Sequence, residues 1–557
     1  MKAISPKRAG QLALLILVCW LAGAPIITVL RGATSVNLQG GFTLDHLHRA
    51  FLTDAYVPAL LSTLKLGALV GLSTTLIGGI LAWIMSRLRP PGESILEEGI
   101  MAPIFISPFI GAIGWITLGQ PRVGMLNAVL KLVGLPEINI ISYGGTVFIM
   151  CLFFVPFAYV LLRHSLDRLN PELEEAAAIC GASQFGSLSG VVLPLLWPSI
   201  LSAMIITFIL ASEMFSIPGL LLVPYGYDFL PYIIYARTTH WPIDQAEASA
   251  VGVMLLIVTI GGMLLYSGAT RIQERFITVG PRSPRQVLRS GRLDIPRLLG
   301  LTIVLVFILL AVILPVASIA LRSLLPYFSG TFNMADLTLS NITVTLSDRL
   351  AWTSLMNSLI VAVISTTLLL IIAFLVALYR IRDKGLITTL TWIVASVPIA
   401  VPGVLIGVGL VWLYIGTPVY ATIYIIILVM LARFMPVLVR LFETGFLQLG
   451  RELDEAAQVC GASELTITRE IRLPLLAGTI RSAAVIGGTQ VFNELTASAL
   501  LFTSASSVLP VVIFNYMFDG DYSRAAVLAL VQVTILMTGI IIIKSVGSIL
   551  KPRSGAT

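Results

Sequence analysis

Charge is scarce in this chain. Only 11% of its 557 residues are Asp, Glu, Lys or Arg, while 57% are hydrophobic, and water-soluble domains carry about 25% charged residues. A soluble globular domain is thereby excluded. Cysteine is nearly absent: Cys19, Cys151, Cys180 and Cys460 have no zinc-type spacing, and none falls in a segment expected outside the cell, which excludes a disulfide framework and a structural metal. Cys180 and Cys460 read as small packing residues at matching places. Histidine is equally sparse, and His46, His48, His164 and His240 are too dispersed for a metal centre. A Gly-x-x-x-x-Gly-Lys-Ser/Thr loop is missing, and none of the seven lysines follows a glycine. Nothing in the sequence cradles a nucleotide. No nucleophile–base constellation stands out either, so the chain does not read as an enzyme.

What fills the chain instead is long apolar runs. A spanning helix takes roughly 20 mostly apolar residues, and about twelve such runs are present. They lie near 11–30, 58–86, 99–119, 144–163, 195–216 and 248–270, then near 298–320, 354–380, 387–415, 419–440, 474–500 and 523–548. The first follows Lys2, Lys7 and Arg8. Its apolar core is too long for a signal peptide and no small-residue cleavage pattern follows, so it reads as a retained helix. The connections are too short for an independent folded domain, so any external recognition domain belongs to another chain. The net charge of +7 suggests nucleic acid at first sight. Yet Lys and Arg concentrate in alternate loops, the positive-inside pattern, which places both termini in the cytoplasm.

The chain repeats itself. The stretch beginning Leu169-Asn-Pro-Glu-Leu-Glu-Glu-Ala-Ala matches the one beginning Leu449-Gly-Arg-Glu-Leu-Asp-Glu-Ala-Ala without a gap, and 14 of 28 positions are identical. Ser73-Thr-Thr-Leu76 answers Ser365-Thr-Thr-Leu368, Glu213 answers Glu494, and Leu230-Pro231 answers Leu509-Pro510. The predicted fold is therefore an all-α polytopic membrane protein of two pseudo-symmetric six-helix halves, 1–270 and 298–557. Because six is even, both halves share one orientation, and a transport path is expected between them. Residues 271–297 contain seven arginines and read as a cytoplasmic linker at the anionic inner leaflet, or as charge that merely sets topology.

Each copy of the motif predicts a short helix, a sharp turn and a second helix. Asn170 suits the N-cap, Pro171 the first helical position, and Glu172, Glu174 and Glu175 favour the positive end of the dipole. Gly181 and Gly461 suit a left-handed cap, after which Ser183 and Ser463 start a second helix towards Pro194 and Pro474. Ala176-Ala177 and Ala456-Ala457 leave a low face that a partner's groove can cover. Glu-Ala-Ala, three residues, Gly, nine residues, an aliphatic residue, any residue and Leu-Pro resembles the signature of permease subunits of binding-protein-dependent ABC importers. Both copies carry it: Glu175-Ala176-Ala177, Gly181, Val191, Leu193-Pro194, and Glu455-Ala456-Ala457, Gly461, Ile471, Leu473-Pro474. Over nearly the whole chain the similarity is to fused double permeases of the ferric-iron type. Single-half permeases for polyamines, thiamine and phosphonates are similar too.

That resemblance implies a type I importer fold in a bacterial inner membrane. It implies that Glu175, Ala176, Ala177, Gly181, Glu455, Ala456, Ala457 and Gly461 couple to two copies of a separate ATPase, which binds the ATP, and that a periplasmic protein delivers the solute. No nucleic-acid partner and no cofactor in this chain are expected; membrane lipids surround it. Glu213 and Glu494 fall within apolar runs, roughly 26 Å from the starts of their helices at 1.5 Å per residue. A charge there is costly unless it faces a path or a partner. The pair is expected either to line the translocation path or to bind backbone amides at helix ends. The rival class is a secondary transporter, which also suits six-plus-six helices.

Overall fold

The computed structural model describes residues 6–37, 40–53, 55–275, 295–326, 336–383 and 385–549. The basic linker expected at 271–297 lies outside the described residues except at its ends. Among the described residues nine helices are long and apolar enough to cross a membrane, or twelve when each of three bent pairs counts as one span. The twelve apolar runs are thus all present as helix, but three are broken. Glu93–Phe105 meets Pro108–Gly119 at 97°, Leu386–Ala400 meets Gly403–Tyr414 at 113°, and Glu464–Leu475 meets Ala477–Phe492 at 70°.

Two of the breaks have a plain cause. Pro108 and Pro402 lack the N–H that would continue the ladder, and a residue before proline is pushed out of the helical region. Ser107 (ψ 131°) and Val401 (ψ 117°) are accordingly not helical. Pro156 and Pro436 sit instead inside Tyr143–Arg168 and Ile423–Gln448. These two helices are the most covered spans, with 72% of their apolar windows buried, against 33% for Arg8–Ala33 and Ile295–Ser323. The former form protein cores, and the latter leave apolar sides for lipid.

The chain packs as two compact units that cut across the sequence repeat. One contains Tyr56–Tyr232 and Ile257–Thr338; the other contains Met1–Ala55, Ile233–Leu256 and Leu339–Thr557. In the first, the opening span of the second half lies on Pro108–Gly119: Ser318 Oγ donates to the Gly114 carbonyl at 2.9 Å, and Trp115 Nε1 to that of Leu310 at 3.2 Å. In the other unit, the opening span of the first half lies on Gly403–Tyr414, with Thr28 Oγ1 donating to the Gly409 carbonyl at 2.8 Å. A Cβ on Gly114 would stand 2.6 Å from the Pro315 carbonyl oxygen, and one on Gly409 would stand 2.2 Å from that of Pro25. Close approach demands glycine at both places.

A second device recurs in each unit. Thr63 Oγ1 accepts the Leu230 N–H at 3.0 Å, and Ser358 Oγ accepts the Leu509 N–H at 2.7 Å. These N–H groups open the short helices Leu230–Thr239 and Leu509–Phe518, whose first amides have no partner within the helix.

Candidate functional site

The paired motif folds the same way twice. Asn170 Oδ1 accepts the Glu172 N–H at 3.1 Å and starts the helix Pro171–Ile179. The second copy, Arg451–Val459, begins after Gly450 with no side-chain cap. Both end on a left-handed glycine, Gly181 (φ +85°) and Gly461 (φ +81°). Ala182 N–H returns to the Ala177 carbonyl and Gly181 N–H to that of Ala178; Ala462 and Gly461 do likewise to Ala457 and Gln458. This pair of bonds closes the last turn and satisfies carbonyls that would otherwise be orphaned. Ser183 and Ser463 then accept the N–H of Gly186 and Thr466 at 3.1 and 3.2 Å. The second helix feeds a span as expected, running on unbroken into Leu193–Ser212 in the first copy but ending at Leu475, just past the proline, in the second. A π-helical stretch, Leu188–Val192 or Thr468–Arg472, carries it through Leu193-Pro194 and Leu473-Pro474, accommodating a residue that lacks an N–H.

The acidic residues of each short helix divide into two faces. Glu175, Ala176, Glu455 and Ala456 are exposed, and Ala177 and Ala457 are half-buried. Glu174 and Asp454, at equivalent positions, turn inward and pair with arginines at the ends of long spans: Glu174 with Arg87 and Asp454 with Arg382. In the first copy the chain of contacts continues. Arg87 donates to Ser86 Oγ at 3.1 Å, Ser86 to Asp167 at 2.9 Å, and Arg163 joins Asp167 at 3.0 Å to Glu93 at 2.8 Å. In the second copy Arg472, only 2% exposed, reaches Asp454 at 3.4 Å and Glu464 at 3.0 Å. Its first-copy counterpart is Val192, so this clamp has no equivalent there.

These anchoring arginines were not singled out from the sequence. The partners are 87 residues apart for Arg87 and Glu174, and no local pattern announces such a pairing. Also unexpected are the exposed aliphatic tips: Ile179 is 87% and Val459 88% exposed, again at matching places. Helix positions that should face a core in a finished protein stand open here, beside the exposed glutamates. A partner is needed to cover them.

Glu213 and Glu494 lie just beyond helices rather than inside them. Glu213 is the cap residue of Leu193–Ser212, and Glu494 follows Ala477–Phe492 in a turn leading to the short helix Ser498–Leu501. Glu494 is 6% exposed. Its carboxylate accepts the Ala497 N–H at 2.9 Å, the Ser498 N–H at 3.1 Å and the Ser498 hydroxyl at 2.9 Å. Arg433 NH1 stands 3.6 Å away. Gly403 leaves room for that guanidinium, since a Cβ there would fall 0.9 Å from NH1. Glutamine in place of Glu494 keeps the size but weakens a carboxylate that serves three donors. We expect Glu494→Gln to cost about 1–3 kcal/mol, seen as a lower unfolding temperature in detergent; an unchanged midpoint contradicts the capping role.

Nine to twelve candidate spans among the described residues, with two exposed short helices each tied to a spanning helix, make this a polytopic membrane protein built on a repeat. The chain belongs to the family described as binding-protein-dependent transport system inner membrane component, whose model matches residues 74–279 and again 370–555. It is 28% identical to the ferric transport system permease protein FbpB of Actinobacillus pleuropneumoniae over 87% of this chain and 71% of that one. It is 27% identical to the probable ABC transporter permease protein y4fN of Sinorhizobium fredii, over 86% of this chain and 85% of that one. Among solved structures, a bacterial ABC transporter involved in alginate import matches at 20% identity and a TM-score of 0.40, covering 48% of this chain and 95% of that chain. The chain is thus the permease of an ABC import system, and the family is one of transport proteins rather than enzymes.

Proposed function

We propose that this permease carries ferric iron across the bacterial inner membrane, with both termini in the cytoplasm. Two copies of an ATPase grip it from that side, and a periplasmic protein loads it from the other. The observation that carries the proposal is the matched pair of exposed helices. Glu175, Ala176 and Ile179, and likewise Glu455, Ala456 and Val459, present the same acidic and apolar surface twice, which fits one ATPase used in two copies. Glu174–Arg87 and Asp454–Arg382 transmit its movement to the spans, and the path opens by alternating access. The iron assignment draws on relatives named as ferric transport permeases, at 28% identity over most of the chain.

In this reading the segments at Glu213 and Glu494 border the path. Glu494 shapes it as a buried clamp on the turn before Ser498 instead of offering an open charge. The deciding experiment is radio-iron uptake into proteoliposomes holding the permease, its ATPase and its binding protein. Iron uptake that requires ATP is expected; uptake that survives removal of the ATPase overturns the mechanism. Transport of a polyamine or phosphonate instead overturns the cargo.

Gly181 and Gly461 give a sharper test of the coupling surface. A β-branched residue at such a left-handed position costs at least about 1–2 kcal/mol of backbone strain, and neither glycine has a neighbour within 4 Å of a built Cβ. The strain therefore acts on the helix end and not on packing. Valine at both positions is expected to leave the permease in the membrane while ATP hydrolysis runs on with little uptake. Full uptake by the double variant contradicts it.

A further inference from the structure

Helices Leu230–Thr239 and Leu509–Phe518 are repeat equivalents, offset by the spacing that separates Leu230-Pro231 from Leu509-Pro510. At that offset Tyr235 answers Phe514, and the two rings meet edge to face, 5.8 Å apart at 82°. Equivalent side chains of the two sequence copies thus meet inside one unit. A cavity of about 350 Å³ opens at this contact, lined by Tyr235, His240, Phe514, Asn515, Phe518 and Asp519. It lies wholly within the unit that contains Ile233–Leu256 and Leu339–Thr557.

The two walls have diverged. His240 answers Asp519 at the same offset, so one copy contributes an imidazole and the other a carboxylate to one space. Among the described residues the side chains of His240, Asn515 and Asp519 make no hydrogen bond or ion pair. Imidazole and carboxylate together suit a transition-metal ion. The cavity is far larger than one ion, since a water occupies about 30 Å³. Room remains for the ion's water shell or a small chelator, and Phe514 and Phe518, 4.5 Å apart, form an aromatic floor. No group of three or more His, Cys, Asp or Glu able to hold a metal exists among the described residues. Two donors hold a metal loosely, which is what a site that must pass its ligand on requires.

Depth places the cavity at an entrance. Asp519 precedes the helix starting at Tyr522, and Gln532 on that helix donates to Asn493 Oδ1 at 2.8 Å, beside Glu494. Ten residues of helix make about 15 Å, so the cavity lies about that far beyond the Glu494 turn. The helix Ala477–Phe492 leads from that turn the other way, towards the coupling segment. We propose that this cleft is the receiving site at which a hydrated or chelated ferric ion first contacts the permease, through His240 and Asp519.

The inference rests on ferric iron being the cargo, and the test separates the two. Initial rates of radio-iron uptake, supplied as ferric citrate to the complete reconstituted system, are compared for wild type, Asp519→Asn and His240→Gln. Both replacements are close in shape, and membrane levels are matched by immunoblot. Each is expected to raise the KM for iron about tenfold with the maximal rate nearly kept, the mark of lost binding without lost turnover. Unchanged KM in both variants, with wild type importing iron, overturns the receiving site alone. A wild-type system that imports no iron overturns the cargo assignment and this site with it.

Discussion

Glutamine at both Arg87 and Arg382 is expected to separate ATP hydrolysis from transport by a factor of ten or more. Each arginine holds the inward acidic residue of one short helix, Glu174 or Asp454, to the end of a spanning helix. The pairs are mostly covered: side-chain exposure is 10% and 23% for Arg87 and Glu174, and 23% and 12% for Arg382 and Asp454. A hydrogen bond to a charged group in such a setting contributes about 1.5–3 kcal/mol, and every 1.4 kcal/mol is roughly tenfold in a population. Without the tie, the short helix is expected still to dock through the proposed coupling surface of Glu175, Glu455, Ile179 and Val459, leaving the ATPase bound and active. Its movement no longer reaches the span. The measurement is solute moved per ATP consumed in proteoliposomes, and an unchanged ratio refutes the linkage. Exchanging the charges, Arg87→Glu with Glu174→Arg, should recover part of the loss in the first copy, which simple misfolding would not permit.

Leucine at Gly409 or Gly114 is expected to remove most of the assembled permease. The built Cβ meets backbone, the Pro25 carbonyl oxygen at 2.2 Å or the Pro315 one at 2.6 Å, and backbone cannot rotate aside. Overpacking of this kind costs about 1–3 kcal/mol where side chains can adjust, and these contacts offer no such adjustment. The donated bonds from Thr28 and Ser318 go as well. Membrane levels and detergent unfolding temperatures read the effect. Gly261→Ala is the control: nothing stands within 4 Å of its built Cβ, and removing a mid-helix glycine should stabilise by up to about 1 kcal/mol. Equal levels for all three variants would mean that the opening spans are not packed as described.

What could be read from the sequence was local. The short helix, left-handed glycine and second helix all lie within one stretch of chain, and Gly181 and Gly461 carry the signal themselves. The apolar runs were equally plain, because spanning length is a property of consecutive residues. Breaks were harder: Pro108 and Pro402 stop helices, whereas Pro156 and Pro436 sit inside unbroken ones. The difference lies in what surrounds the proline. Glu213 and Glu494 looked helical because the apolar run continues through the turn. The carboxylate of Glu494, by accepting two backbone N–H groups, is part of what lets a non-helical turn exist among apolar residues. Arg87, Arg382 and Arg472 escaped notice because their partners are distant in sequence or their role depends on which face of a helix turns inward.

The exchange of opening spans sets an order on biogenesis. A ribosome that has released the first 270 residues has not yet supplied what the unit around Pro108–Gly119 needs, because Ser318 and Pro315 are still unmade. The other unit must keep Arg8–Ala33 waiting in the bilayer until Gly409 emerges. On this packing neither repeat is expected to mature alone, so cutting this polypeptide between its halves should yield two fragments that are degraded when synthesised singly and rescued when synthesised together.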